Sequence, residues 1–177
     1  MANTNLLKTV VEKEIIKMYC EKHVASQIEL SIKMVKFIFD GTEPDLVAYR
    51  AADRTLHLGE ITTSGFQGQK GKNFHIGAVK KVFEAFAKFT LWRDDLDTIL
   101  QRFRECGIDN EVENVVGSFI VPEGCKFIHA LGYRNKLFNK GIMTLEVIPL
   151  KPETIEVMLE VHHSAKAEIW IKKGDVK

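Results

Sequence analysis

Between Glu43 and Gly65 the chain reads EPDLVAYRAADRTLHLGEITTSG. Asp45–Arg50 and Thr55–Thr62 are short runs rich in β-branched, aromatic and aliphatic residues, and the polar tetrapeptide Ala51–Arg54 divides them. Pro44, with a fixed φ and no N–H, suits the entry to a strand. This pattern predicts an antiparallel hairpin. Alternate strand residues share a face, so Leu56, Leu58, Glu60 and Thr62 lie on one side, and His57, Gly59 and Ile61 on the other. A carboxylate on an otherwise apolar side is costly unless it sits at a strand end, is paired, or binds a metal. The hairpin lays the start of its first strand beside the end of its second, which brings Asp45 to Glu60. Two readings stay open: a pair of solvated acids, or two hard oxygen ligands that a backbone carbonyl completes as a Mg²⁺ site.

The flanking segments supply the rest of a fold. Leu6–His23 has helical spacing, with Leu7, Val10, Val11, Ile15 and Met18 on one face. Glu14 falls inside that arc and needs a partner. Lys33–Phe39 (KMVKFIF) reads as a strand ended by Asp40-Gly41. A Gly/Gln/Lys loop over Ser64–Asn73 leads into a helix over Phe74–Thr90, whose stripe is Ile76, Val79, Val82, Phe83 and Phe86. A second helix runs from Asp94 or Asp95 to Cys106, stopped by Gly107. Val115–Val121 is a fourth strand, Phe127–Phe138 a short helix and Ile142–Ile148 a fifth strand. The tail from Pro152 fits a strand by alternation and a helix by its Pro-Glu start, and Ile169–Ile171 reads as a short last strand. The expected class is α/β: a mixed sheet of about five strands flanked by helices, with an α-β-β-β-α-β core.

A chain of 177 residues without a linker reads as one domain, its core spanning about 6–121 and a C-terminal extension 122–177. A net charge of +1 announces no polyanion partner by itself. Cys20, Cys106 and Cys125 are odd in number and widely spaced, which fits inert thiols rather than a disulfide framework or zinc knuckle. The start, MANTNLLKTVVEKE, has no secretory pattern, and no run reaches the roughly 20 apolar residues of a membrane span. A soluble, cytoplasmic protein is the expectation.

Pro44-Asp45, then Glu60-Ile61-Thr62 fifteen residues after Asp45, on a helix–three-strand–helix–strand framework, resembles the PD-(D/E)xK nuclease superfamily, the restriction-endonuclease-like proteins. The likeness covers about Leu6–Val121. It implies an endonuclease that hydrolyses DNA phosphodiester bonds with Mg²⁺, or Mn²⁺, acting as a homodimer. Asp45, Glu60 and the Ile61 carbonyl would be the metal ligands, and Glu14 the helix-borne acid. The sequence departs from the pattern at Thr62, where the superfamily carries lysine. Some members draw that lysine from the following helix, and projection of the 74–90 helix favours Lys72, then Lys80, with Lys70, Lys81 and Lys88 pointing outward. A catalytically silent nucleic-acid-binding or assembly subunit of the same fold is the alternative that Thr62 sustains.

The loop residues Gln67, Gln69, Lys70 and Lys72 have the chemistry of phosphate and base contacts, although GxxxxGK[ST] is absent. No HExxH or HxH pattern marks a zinc site, and the six histidines read as packed or surface residues. Met143, Met158 and Trp170 fall in apolar runs and read as core.

Overall fold

The computed structural model describes residues 5–67 and 76–174, with side chains through Ser164. A π-helical stretch, Leu7–Glu12, continues into helix α1, Lys13–His23. There follow strand β1 (Ser26–Gln27), helix α2 (Ile32–Phe39), β2 (Leu46–Arg50), β3 (Thr55–Ile61), α3 (Ile76–Asp94) and α4 (Leu96–Glu105). Strand β4 (Asn114–Pro122), two 3₁₀ helices (Lys126–Ala130 and Gly132–Lys140), β5 (Thr144–Ile148) and α5 (Pro152–Gly174) complete the chain. The five strands form one mixed sheet in the order β1-β2-β3-β4-β5. β1, β2 and β3 are antiparallel, whereas β4 and β5 join in parallel through crossovers. Helices flank both faces, as the α/β expectation has it.

Each face has its own core. α2, α3, α4 and the 3₁₀ segments cover one side, with Leu56, Leu58, Phe119 and Val121 of the sheet buried beneath Val82, Phe89 and Trp92. α1 and α5 cover the other, where Val11, Ile15 and Tyr19 meet Ile61, Ile120 and Met158. Met143 and Met158 are core residues. Two glycines permit the close layers. A Cβ on Gly59 would lie 2.9 Å from Ile120 Cδ1, and one on Gly117 would lie 2.8 Å from both the Ile142 carbonyl and the Phe89 ring.

Several segments depart from the sequence expectations. Lys33–Phe39 is helical, not a strand. Ser31 caps it by accepting the Met34 N–H, and Asp40 (φ 50°) and Gly41 (φ 82°) end it in left-handed conformations. Met34, Val35, Ile38 and Phe39 repeat at helical as well as strand spacing, and packing against α4 decides for the helix. The third antiparallel strand is instead Ser26–Gln27, paired with Tyr49 and Ala48. The expected strand at Ile169–Ile171 lies within α5, and the 127–138 helix is two 3₁₀ pieces. Among the described residues no helix is long and apolar enough to cross a membrane.

The α3 stripe is turned from its expected position. Ala78, Val79, Val82, Ala85, Phe89 and Trp92 face the sheet, while Ile76 and Phe83 are exposed. The two alanines let the helix lie close, and the inward arc is rotated by about 100°, one residue step, from the one centred on the large side chains. That rotation decides which lysines reach the sheet.

Candidate active site at the mouth of the β2–β3 hairpin

The β2–β3 register sets Leu46 against Gly59 and so carries Asp45 to the position of Glu60. The Asp45 N–H donates to the Gly59 carbonyl at 2.9 Å, and Asp45 Oδ2 accepts the Ile61 N–H at 2.8 Å. Asp45 therefore brackets Glu60 from both sides along β3. Alternation in the strand turns the Ile61 carbonyl toward the same edge as its N–H, which is the Asp45 edge. Glu60 rises from the face that also carries Leu56 and Leu58.

Its partner is Lys88. Lys88 Nζ donates to Glu60 Oε1 at 2.8 Å and to the Glu43 carbonyl at 3.0 Å, so the ammonium ties α3 to β3 and to the segment that enters β2. The side chains are 30% and 15% exposed, respectively. Burial raises the Glu60 carboxyl and the Asp45 charge raises it further; together they outweigh Lys88 and Lys81 and push it up to about 7. Glu12, half-buried at the end of the π-helical stretch, is raised by burial and by Asp45, with Lys8 and Lys81 opposing. Three carboxylates and two α3 lysines thus share one electrostatic environment.

The expected residues divide accordingly. Asp45, Glu60 and Ile61 come together. Glu14 does not join them: its carboxylate accepts the Lys151 N–H at 2.9 Å and the Thr154 hydroxyl, tying α1 to the start of α5. The π-helical stretch explains the departure. Its wider turns break the 100° phase, so that Val10 is exposed and the Glu12 carboxyl comes under the influence of the Asp45 charge. Lys80 does not reach the acids either. It is exposed on the far side of α3, while Lys88, expected to point outward, bonds Glu60. Lys81 lies seven residues, two turns, before Lys88 and shares its stripe. That spacing, read with Ala78 and Ala85 as the inner face, is the signal that would have found the cation.

Thr62 is no substitute for a lysine. It is 2% exposed, its N–H donates to the Ile120 carbonyl at 3.0 Å, and its hydroxyl accepts the Ser64 N–H at 3.1 Å. It closes the turn that leaves β3. Gln67 lies 3.2 Å from His163 of α5, side chain to side chain. Gln69, Lys70 and Lys72 lie outside the described residues, as does His75. His57 sits on the opposite face, buried, 3.0 Å from the Tyr19 hydroxyl, which is also 2.8 Å from Ser118 Oγ.

No family model, curated protein or solved structure matches this chain. Among the described residues no group of three or more His, Cys, Asp or Glu side chains is placed to hold an ion. What the hairpin mouth offers is two carboxylates and a main-chain carbonyl, a hard oxygen set. It suits Mg²⁺, which keeps several waters and takes one or two protein carboxylates beside a substrate phosphate.

Proposed function

We propose that this protein is a Mg²⁺-dependent DNA nuclease of the PD-(D/E)xK type, with Asp45, Glu60 and the Ile61 carbonyl as metal ligands and Lys88 in the place of the motif lysine. The observation that carries this reading is the Lys88–Glu60 contact at 2.8 Å. It brings an ammonium to the acid pair from the following helix, where Thr62 leaves the strand without one.

The bound metal would supply a nucleophilic water at neutral pH and offset charge on the phosphate. The chain's own groups do the remainder. Asp45 is locked by two hydrogen bonds to β3, so it meets an incoming ion without reorganisation. Glu60, pushed up to about 7, would lose its proton near neutrality and could then join the ligand set. Were Glu60 engaged by the ion, Lys88 would be free to orient the attacking water or a phosphate oxygen. In the reaction, the attacking water gives up a proton to solvent as its oxygen bonds to phosphorus, the bond to the leaving oxygen breaks, and that oxygen takes up a proton from solvent.

The test is nicking of supercoiled plasmid with Mg²⁺ or Mn²⁺ by the wild type, Asp45→Asn, Lys88→Ala and Lys80→Ala. Loss on the first two substitutions, by about 100-fold or more, with Lys80→Ala unaffected, supports the reading. Absence of cleavage by the wild type with either ion, while DNA binding persists, would replace it with a silent DNA-binding or assembly subunit.

A further inference from the structure

We propose that the two 3₁₀ helices between β4 and β5 form a phosphate-backbone strap that holds DNA beside the hairpin site. This rests on the nuclease reading for the identity of its polyanion, but it concerns a surface that lies outside the acid pair.

From Gly124 to Leu145 the chain contains no Asp or Glu, yet carries Lys126, Arg134, Lys136 and Lys140. The net charge of the whole protein is only +1, so these four cations leave the remainder at 1 − 4 = −3. This 22-residue segment thus carries a +4 balance, as do residues 61–83, which hold Lys70, Lys72, Lys80 and Lys81 and no acid. No carboxylate among the described residues forms a salt bridge with any of the four. By contrast, Arg50, Arg54 and Lys22 each hold an acid within 3.1 Å.

The 3₁₀ geometry sorts the side chains into rows, because residues three apart eclipse. Leu131, Arg134 and Leu137 form the inward row, while Tyr133, Lys136 and Asn139 form an exposed one. Phe127 and Leu131 are fully buried and anchor the strap to the core on the α3 face. Arg134 is held part-buried between its leucines, and its Nε is buried with no hydrogen-bond partner. Its guanidinium lies 4.7 Å from the centre of the Tyr133 ring, which is itself 69% exposed. An aromatic face backed by a planar cation, next to a row of lysine and amide, is the chemistry of nucleic-acid contact: phosphates take the ammonium and guanidinium groups, and an unstacked base takes the ring.

The strap also begins at the right place. The Lys126 N–H donates to the Phe66 carbonyl at 3.0 Å, and Phe66 lies in the turn that leaves β3 just after Glu60, Ile61 and Thr62. β3 and β4 are parallel, so their C-terminal ends, one carrying the acids and the other feeding the strap, lie side by side. A strand of DNA whose scissile phosphate rests on Asp45 and Glu60 passes onto Lys126 and toward Tyr133.

The test is duplex and oligo(dT) binding by fluorescence anisotropy in EDTA, which excludes cleavage, over a salt series. The proteins are the wild type, Lys136→Glu/Lys140→Glu, Tyr133→Ala, and a control, Lys33→Glu/Lys36→Glu, that reverses two exposed lysines on α2. All four substituted lysines and Tyr133 are exposed, so folding is checked simply by circular dichroism. The strap variant is expected to bind at least tenfold more weakly at 100 mM salt, with its log–log salt slope reduced by about 2, and the control to match the wild type. Tyr133→Ala is expected to weaken oligo(dT) more than duplex. Equal affinity and slope for wild type and strap variant overturn the proposal, as does a wild type that binds anionic vesicles and not DNA. The two readings separate: a strap variant that binds normally while Asp45→Asn cannot cleave defeats the strap alone. Loss of binding in the strap variant, in a wild type that never cleaves, defeats the nuclease alone.

Discussion

Lys88 and Glu60 meet at 2.8 Å across the gap between α3 and β3, and Lys88 also holds the Glu43 carbonyl on the far side of Asp45. One ammonium thereby fixes the helix to the hairpin mouth and compensates a carboxylate that burial disfavours. Replacing it with an apolar side chain leaves Glu60 without its cation. Lys88→Met is expected to lose about 1–3 kcal/mol at pH 8, measured by urea unfolding. The loss shrinks at pH 6, where Glu60 carries a proton and needs no partner. Lys80→Met, on the exposed side of α3, is expected to stay within about 0.5 kcal/mol of wild type. Equal effects of the two substitutions would refute the assignment of Lys88 as the site's cation.

If Glu60 is a metal ligand, as proposed, its proton competes with the ion for the same oxygens. With its carboxyl pushed up to about 7, cleavage is expected to rise with pH through that region, approaching a tenfold gain per pH unit below it. Asp45 is one cause of the raised value, so Asp45→Asn is expected to move the Glu60 titration down, seen in the side-chain carboxyl ¹³C shift. Lys88→Met is expected to move it up. A pH profile that is flat from 5.5 to 8.5 counts against Glu60 as a ligand.

Thr62 occupies the motif-lysine position but is a buried turn residue. Thr62→Val deletes the hydroxyl that takes the Ser64 N–H and is expected to cost about 1 kcal/mol. Thr62→Lys places an ammonium in a 2%-exposed site and is expected to cost more, about 2–4 kcal/mol. The double variant Thr62→Lys/Lys88→Ala is expected not to recover plasmid nicking. Recovery would mean that the strand position can still present a lysine to the acids.

On the opposite face, burial holds His57 down to about 4, the charges of His23 and Arg50 adding to the effect and Asp53 and Glu146 opposing it. The unfolded chain takes up this proton near the ordinary histidine value of 6.5, whereas the folded one resists it. Stability from neutral His57 is therefore fully present above that unfolded value and is lost as pH falls through the folded one. The difference between urea stabilities at pH 7 and pH 4.5 is expected to be smaller by about 2–3 kcal/mol in His57→Gln than in wild type. An unchanged difference would show that His57 already titrates normally in the folded protein.

Alternation and turn chemistry, both local, made the hairpin and the pairing of Asp45 with Glu60 readable from the sequence, together with the two-sided sheet and most of its helices. Local patterns were ambiguous where apolar residues satisfied two periods, as in Lys33–Phe39, which packing against α4 makes helical. Phase was a second obstacle. The π-helical stretch shifts the phase of the first helix, so that Val10 is exposed and Glu14 turns to the start of α5, and no count at 100° per residue reveals it. The lysine that meets Glu60 is hidden for a related reason, since the large residues of α3 point to a different inner face. Close packing instead selects the small ones, Ala78 and Ala85, because they let the helix approach the sheet.

The sequence by itself determined that two acids converge at a strand pair and that the strand after them carries no lysine, because period-2 alternation and a short turn leave a hairpin little freedom. Which helix face meets the sheet depends on how whole layers pack, and that alone decided that Lys88 rather than Lys80 meets Glu60 and that Thr62 closes a turn.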